Sequence, residues 1–270
     1  MILNRIYYQR ANSRMRILIP LLLLCVSMPS WAQRQFDIEV IIFKRTVDAE
    51  NTSESWPDQL PKIDMTNVGS LDSDAYRSSK GVSLLPSSSF RLNPQEAALN
   101  NHAGFRVLKH VAWRQGDQGQ GSAPTFRIVA GRDFSGSYYS DGSPIDGSQT
   151  TFTSDGYSES NVNGPLYELD GKIQVYVQHY LFAETTMDLR APGVREIRFE
   201  PKPVEQLANE MGEADGNVQV GNLADVSPTV TEEKFLKTYR LDQKRRMRSS
   251  ETHYLDSPLM GMIIQVRRVN

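Results

Sequence analysis

Residues 36 to 45 read FDIEVIIFKR. In an extended chain Phe36, Ile38, Val40 and Ile42 point one way, and Asp37, Glu39, Ile41 and Phe43 the other. The first row is wholly apolar. The second changes from acidic to apolar halfway along, so the end of the strand asks for cover on both faces. That pattern puts the strand in the middle of a sheet.

Further runs follow the same rule. Phe105 to Gln115 (FRVLKHVAWRQ), Thr125 to Gly131 (TFRIVAG) and Leu259 to Val269 (LMGMIIQVRRV) read as strands. In Leu166 to Val175 (LYELDGKIQV) two alternating runs flank Asp170-Gly171, the pair preferred in a tight type I′ turn, which predicts a hairpin there. Its second arm would continue through Tyr176, Val177, Tyr180 and Phe182 to Leu189, with Pro192-Gly193 as its end and Val194 to Phe199 as a further short strand. Phe235 to Met247 alternates imperfectly and reads as a strand, with a helix over Glu232 to Arg246 as the alternative. Asn93-Pro94-Gln95-Glu96 is a helix start, with Asn93 as cap, Pro94 in the first turn and Glu96 favouring the N-terminal dipole. That helix should run to about His102 and stop at Gly104. Six or seven mostly antiparallel strands and one short helix predict an α+β fold dominated by an antiparallel sheet.

Long polar segments separate these runs, near 46–88, 132–164 and 201–230, the last an acidic insertion containing Pro and Gly. Trp56-Pro57 and Leu84-Leu85-Pro86 read as isolated docking points in the first of them.

The beginning of the chain bears on its destination. Arg5, Arg10, Arg14 and Arg16 precede the apolar run Ile17 to Met28, and no acid appears before Asp37. The run falls short of the ~20 apolar residues that span a bilayer. With the small residues Ser30 and Ala32 it forms a secretory signal over 1–32, cleaved after Ala32; an uncleaved anchor is the rival. Residues 33–270 are then one β-rich domain without a stable membrane anchor. Cys25 lies inside the apolar run behind Leu24, where a lipidation site needs a small residue, so the cleaved chain has no thiol chemistry. It keeps 26 basic residues against 32 acidic, a formal charge of −6, which opposes nucleic acid as a partner.

No catalytic residue stands out. The four histidines, His102, His110, His179 and His253, lack the spacing of a zinc pair, and no nucleophile elbow or phosphate loop occurs. Asp141, Asp146 and Asp155 lack the regular spacing of a calcium loop. No metal or cofactor is expected. The densest group of ionisable residues is RRMRSSETHYLDSPLMG, Arg245 to Gly261. Arg245, Arg246 and Arg248 offer planar donors for carboxylates, and Glu251, His253 and Tyr254 join them as candidate ligand-binding residues. In an extended chain Glu251, His253 and Leu255 share one face, and Tyr254 and Asp256 the other. Three readings stay open for this stretch: an architectural corner, a binding patch, or an acid–base pair of Glu251 with His253.

FDIEVIIFKR directly after a signal, and RRMRSSETHYLDSPLMGMIIQVRRV at the end, resemble the CsiV family of periplasmic peptidoglycan-binding proteins. FRVLKHVAWRQ and LDGKIQVYVQHYLF fit the same layout. The family's closing motif reads HYLDHP…G; this chain has Ser257 where the second histidine is expected, which puts a two-histidine metal site in doubt. The resemblance implies a non-enzymatic periplasmic protein that binds peptidoglycan and supports a bifunctional penicillin-binding synthase through its outer-membrane lipoprotein activator. The rival functions are a periplasmic peptidoglycan hydrolase and a scaffold for envelope assembly.

Overall fold

In the computed structural model, residues 34–49, 52, 56–57, 60–145, 164–199 and 229–269 are described, without the side chains of 196–199 and 229–231. FDIEVIIFKR lies in strand β1 (Gln35–Arg45), flanked on both sides by antiparallel partners, β4 (Phe105–Gly116) and β10 (Met260–Val269). The central position expected from its two faces is the one observed. Short β3 (Ser83–Leu84) and β9 (Thr252–Asp256) complete a five-stranded sheet in the order β3-β4-β1-β10-β9. A second sheet has the order β2-β5-β6-β7-β8, from β2 (Gly69–Ser70), β5 (Thr125–Asp133), β6 (Tyr167–Val177), β7 (Leu181–Phe199) and β8 (Thr229–Met247). Among the described residues only the β2–β5 pairing is parallel. The fold is thus α+β and mainly antiparallel, with ten strands and two α-helices among the described residues.

The sheets pack face to face through one apolar cluster. The inner row of β1 (Phe36, Ile38, Val40, Ile42) joins Trp113, Met262, Ile264 and Val266 from its own sheet. From the other sheet come Phe126, Ile128, Leu169, Ile173, Met187 and Leu241. Trp113 is fully buried and meets Phe126 edge to face at 5.4 Å. The outer row of β1 ends in Ile41 and Phe43, which a smaller cluster with Leu92, Leu99 and Phe105 covers.

The Asp170-Gly171 turn does not exist. Strand β6 runs through both residues, and the chain reverses only at 178–180, between β6 and β7. Gly171 is needed for closeness, not for a turn: a Cβ there would lie 2.3 Å from the Thr186 carbonyl oxygen and 2.5 Å from the Met187 Cα. Pro192-Gly193 likewise does not end the following strand. Strand β7 continues past it to Phe199 and includes Val194. The last β6 pairing is Leu169 with Leu189, so the missing amide of Pro192 can face the side on which no strand follows among the described residues, while its pairing with Leu236 of β8 persists. Strand β8, not a helix, occupies Glu232 to Arg246.

Two further expectations change. The segment 46–88 holds helix α1 (Asp74–Lys80), which Ser73 caps through a bond from the Tyr76 amide and left-handed Gly81 closes. The later helix, α2, spans Asn93–Asn100, two residues shorter than expected; Asn93 is its first residue, and no side chain of its own caps it. Instead the Glu39 carboxylate of β1 accepts the Arg91 and Leu92 amides just ahead of the helix. The segment 1–32 read as a signal, most of the 132–164 segment and residues 201–228 lie outside the described residues.

Candidate functional site

Strand β8 delivers the arginines of the candidate site. It ends in buried Met247, and the chain turns through Ser250, which holds a left-handed backbone at φ 68° with its amide on the Val266 carbonyl, 2.8 Å. Strand alternation puts Arg245 and Arg246 on opposite faces. Arg246 lies opposite Phe182 and carries its guanidinium 4.6 Å above the Tyr180 ring. Both arginines are exposed and have no acid partner among the described residues. Arg248 reaches Glu251 at 3.6 Å and is mostly exposed.

Glu251 and His253 do come together, at 4.0 Å, but the Nε2 atom of His253 already accepts the Arg248 amide at 3.2 Å. That nitrogen is therefore engaged with the backbone of the turn. Beside His253, Leu255 enters the core. Tyr254 and Asp256 point the other way, to Arg45 at the end of β1, whose Nη2 donates to the Tyr254 hydroxyl at 2.7 Å and to Asp256 at 3.0 Å. The Tyr254 ring stacks on Phe43, 6.1 Å between centroids and 12° between planes. Gly261 leaves the room for this stack, since a Cβ there would lie 2.6 Å from Phe43 and 2.9 Å from the Tyr254 hydroxyl. The Ser257 amide closes the β9–β10 turn on the Met260 carbonyl at 2.9 Å. The six candidate residues thus divide into a turn group (Arg248, Glu251, His253), a clamp residue (Tyr254) and two exposed arginines on opposite faces of the strand end.

Two clefts escaped the sequence reading. One, of about 460 Å³, lies on the outer face of the second sheet, between that face and the segment 60–65. Its floor carries Asp170 and Asp188, paired across β6 and β7. Arg127 grips Asp170 with two bonds of 2.9 Å, and Arg240 grips Asp188 at 2.7 and 2.9 Å while also holding the Pro61 carbonyl. The second cleft, of about 540 Å³, is lined by Lys44, Arg45, Glu168 and Tyr239, with exposed Val47 and Val194. Buried Glu168 accepts from Lys44 at 2.7 Å, from the Arg132 amide at 3.1 Å and from Arg106. Burial pushes its carboxyl up, but these partners outweigh that and leave it below the ordinary value.

The most enclosed carboxylate among the described residues is Glu39, with no exposed surface. Besides the Arg91 and Leu92 amides it meets Arg267 at 2.7 Å and His110 at 3.0 Å, and His110 reaches Glu96 of α2 at 2.8 Å on its other nitrogen. Burial raises the Glu39 carboxyl, and the two amides, Arg267 and His110 together bring it below the ordinary value. Glu39 therefore ties α2 to the sheet. No group of three His, Cys, Asp or Glu side chains able to hold a metal ion occurs among the described residues.

No curated protein and no solved structure matches the chain. A family model described as peptidoglycan-binding protein, CsiV, matches residues 16–269, a span that includes both strands of the Arg45–Tyr254 clamp and the arginine turn. The chain belongs to the CsiV family of peptidoglycan-binding proteins.

Proposed function

We propose that this chain is a non-enzymatic periplasmic protein that binds peptidoglycan and supports cell-wall synthesis by a bifunctional penicillin-binding protein, acting through the synthase's outer-membrane lipoprotein activator. The family match over 16–269 carries the wall-binding part. The geometry supports a carboxylate-binding role for the corner: Arg245 and Arg246 are exposed and without acid partners among the described residues, and Arg248 is mostly exposed. Peptide stems of the wall carry carboxylates, which planar guanidinium groups bind in two-point contacts. A binding rather than hydrolytic role fits His253, whose Nε2 is taken by the turn. The basic flank, short apolar run and small residues over 1–32, read as a secretory signal, support the periplasmic part of this reading.

Co-sedimentation of residues 33–270 with purified sacculi tests this reading. The wild type is expected in the pellet, with sacculi chemically unchanged. The variant Arg245→Ala/Arg246→Ala/Arg248→Ala is expected to stay largely in solution while remaining folded by circular dichroism. Release of muropeptides would overturn the non-enzymatic part, and a soluble wild type the binding part. For the synthase link, the purified activator should retain the protein on a column; passage without retention would remove that link.

A further inference from the structure

The end of the β6–β7 hairpin presents aromatic and ionic side chains in an ordered array on the outer face of the second sheet. The register places Phe182 opposite Arg246 and Glu184 opposite Lys244, and alternation turns all four outward. Tyr180, in the turn that precedes them, is 55% exposed, more than any other large apolar or aromatic side chain described as exposed. Its hydroxyl has no hydrogen-bond partner among the described residues. Arg246 lies over its ring at 4.6 Å. Phe182 stacks on buried Tyr176 at 5.5 Å and 24°, and the Lys244 ammonium stands 5.4 Å from the Phe182 ring. Glu184, about two-fifths exposed, receives the Tyr176 hydroxyl at 3.3 Å and the Gln120 amide at 3.2 Å, both on Oε2.

We infer that this array is a glycan platform, on which Tyr180 and Phe182 stack against sugar rings of the peptidoglycan backbone while Glu184 accepts sugar hydroxyls. The inference rests on the wall-binding reading and narrows it to the glycan strand. Aromatic rings with a polar edge suit ligands that are apolar on one face and wet on the other. The Oε1 atom of Glu184 makes no bond to another described side chain and remains free to accept. Lys244 and Arg246 add donors beside the rings for the acetamido and lactyl carbonyl oxygens of N-acetylmuramic acid, whose lactyl carboxyl is amide-linked in the intact wall. The Lys244 ammonium is held in its charged form by Tyr176 and Glu184, its pKa raised above the ordinary value. A patch that served only to steady the hairpin would have no need of a half-exposed tyrosine ring at its tip.

The test uses residues 33–270 and two probes, intact sacculi and peptide-free glycan strands prepared from them by amidase digestion. Tyr180→Ala and Glu184→Ala are each expected to weaken binding to the peptide-free strands about tenfold, and Tyr180→Phe to stay within about twofold of the wild type, since the ring carries the contact. If the wild type binds sacculi but not the peptide-free strands, or if Tyr180→Ala binds the strands like the wild type, the platform is overturned and wall binding stands on the peptide stems. If the wild type fails on sacculi yet binds the strands in a Tyr180-dependent way, the platform stands and the wall-binding reading falls. If it binds neither probe, both fall.

Discussion

Arg45 at the end of the first strand and Tyr254 on the ninth are joined by a bond of 2.7 Å across 209 residues of sequence, and Asp256 shares the same guanidinium nitrogen at 3.0 Å. The two segments on which the family likeness rests therefore meet in space. Tyr254 touches Arg45 and Phe43, His253 holds the turn amide, and Leu255 enters the core, so the motif HYLD acts first as a fastener for β9. Its polar residues hold the arginine turn in place.

Gly261 tests this fastening. Gly261→Ala would push a methyl group against Phe43 and the Tyr254 hydroxyl. The expected cost is about 1–3 kcal/mol in urea unfolding, typical of overpacking. Tyr254→Ala in the same background removes one of the two obstacles and should recover part of the loss. An unchanged urea midpoint for Gly261→Ala would show that the stack gives way freely.

Glu39→Gln probes the tie between α2 and the sheet. The substitution removes the charge that Arg267 and His110 face and leaves a donor where only donors converge. A loss of about 2–4 kcal/mol is expected, because the partly buried Arg267 guanidinium is then left poorly paired beside a fully buried amide. Amide exchange in α2 should rise before that of β6, since the helix loses its anchor first. Equal acceleration in both elements would argue against a local tie.

The same carboxylates predict how stability depends on pH. Glu39 and Glu168 are both held below the ordinary carboxyl value in the folded chain, the opposing effect of burial notwithstanding. A group whose folded value is depressed gives its full stabilisation above the unfolded value, about 4.3 for glutamate, and loses it as pH falls through the folded value. The urea midpoint should therefore drop as pH falls below the unfolded value and through the lower folded ones, and Glu168→Gln should flatten that slope while lowering the plateau. A slope that Glu168→Gln leaves intact would assign the acid sensitivity to other carboxyls.

Gly171→Ala separates a strand glycine from a turn glycine. The new methyl would strike the Thr186 carbonyl and the Met187 backbone of the neighbouring strand, where nothing can swing aside. A loss of about 2–4 kcal/mol is expected, at the upper end of single-residue effects. Asp170→Asn should cost less, about 1–2 kcal/mol, through its partnership with Arg127. Equal small losses at both positions, read by thermal unfolding, would fit a surface turn instead.

FDIEVIIFKR was legible because both of its faces carry their own composition, and the sandwich covers each as that composition demands. Asp170-Gly171 misled because a local turn preference looks the same as a glycine required by a neighbouring backbone, and only the neighbour distinguishes them. Pro192 misled likewise, since the end of β6 decides whether its missing amide matters. Helix α1 has sound caps in Ser73 and Gly81, but no buried residue between them to announce it. At the candidate site, alternation correctly separated His253 and Leu255 from Tyr254 and Asp256. Arg45, which the second pair grips, lies too far away in sequence for any spacing rule. The cleft that holds Arg127, Asp170, Asp188 and Arg240 depends on the register of four strands and leaves no trace in any one of them.

Strand β1 has β10 as one of its two neighbours, in register from Gln35 with Val269 to Lys44 with Met260. The first strand of the sandwich is therefore finished by the last. A chain threaded out of a membrane pore N-terminus first must carry β1 with one flank bare until the final residues emerge, an interval in which a holding chaperone would find Ile38, Val40 and Ile42 uncovered. The same neighbourhood makes the molecule a candidate for circular permutation, because a short linker from Val269 to Gln35 would turn this late closure into a local hairpin.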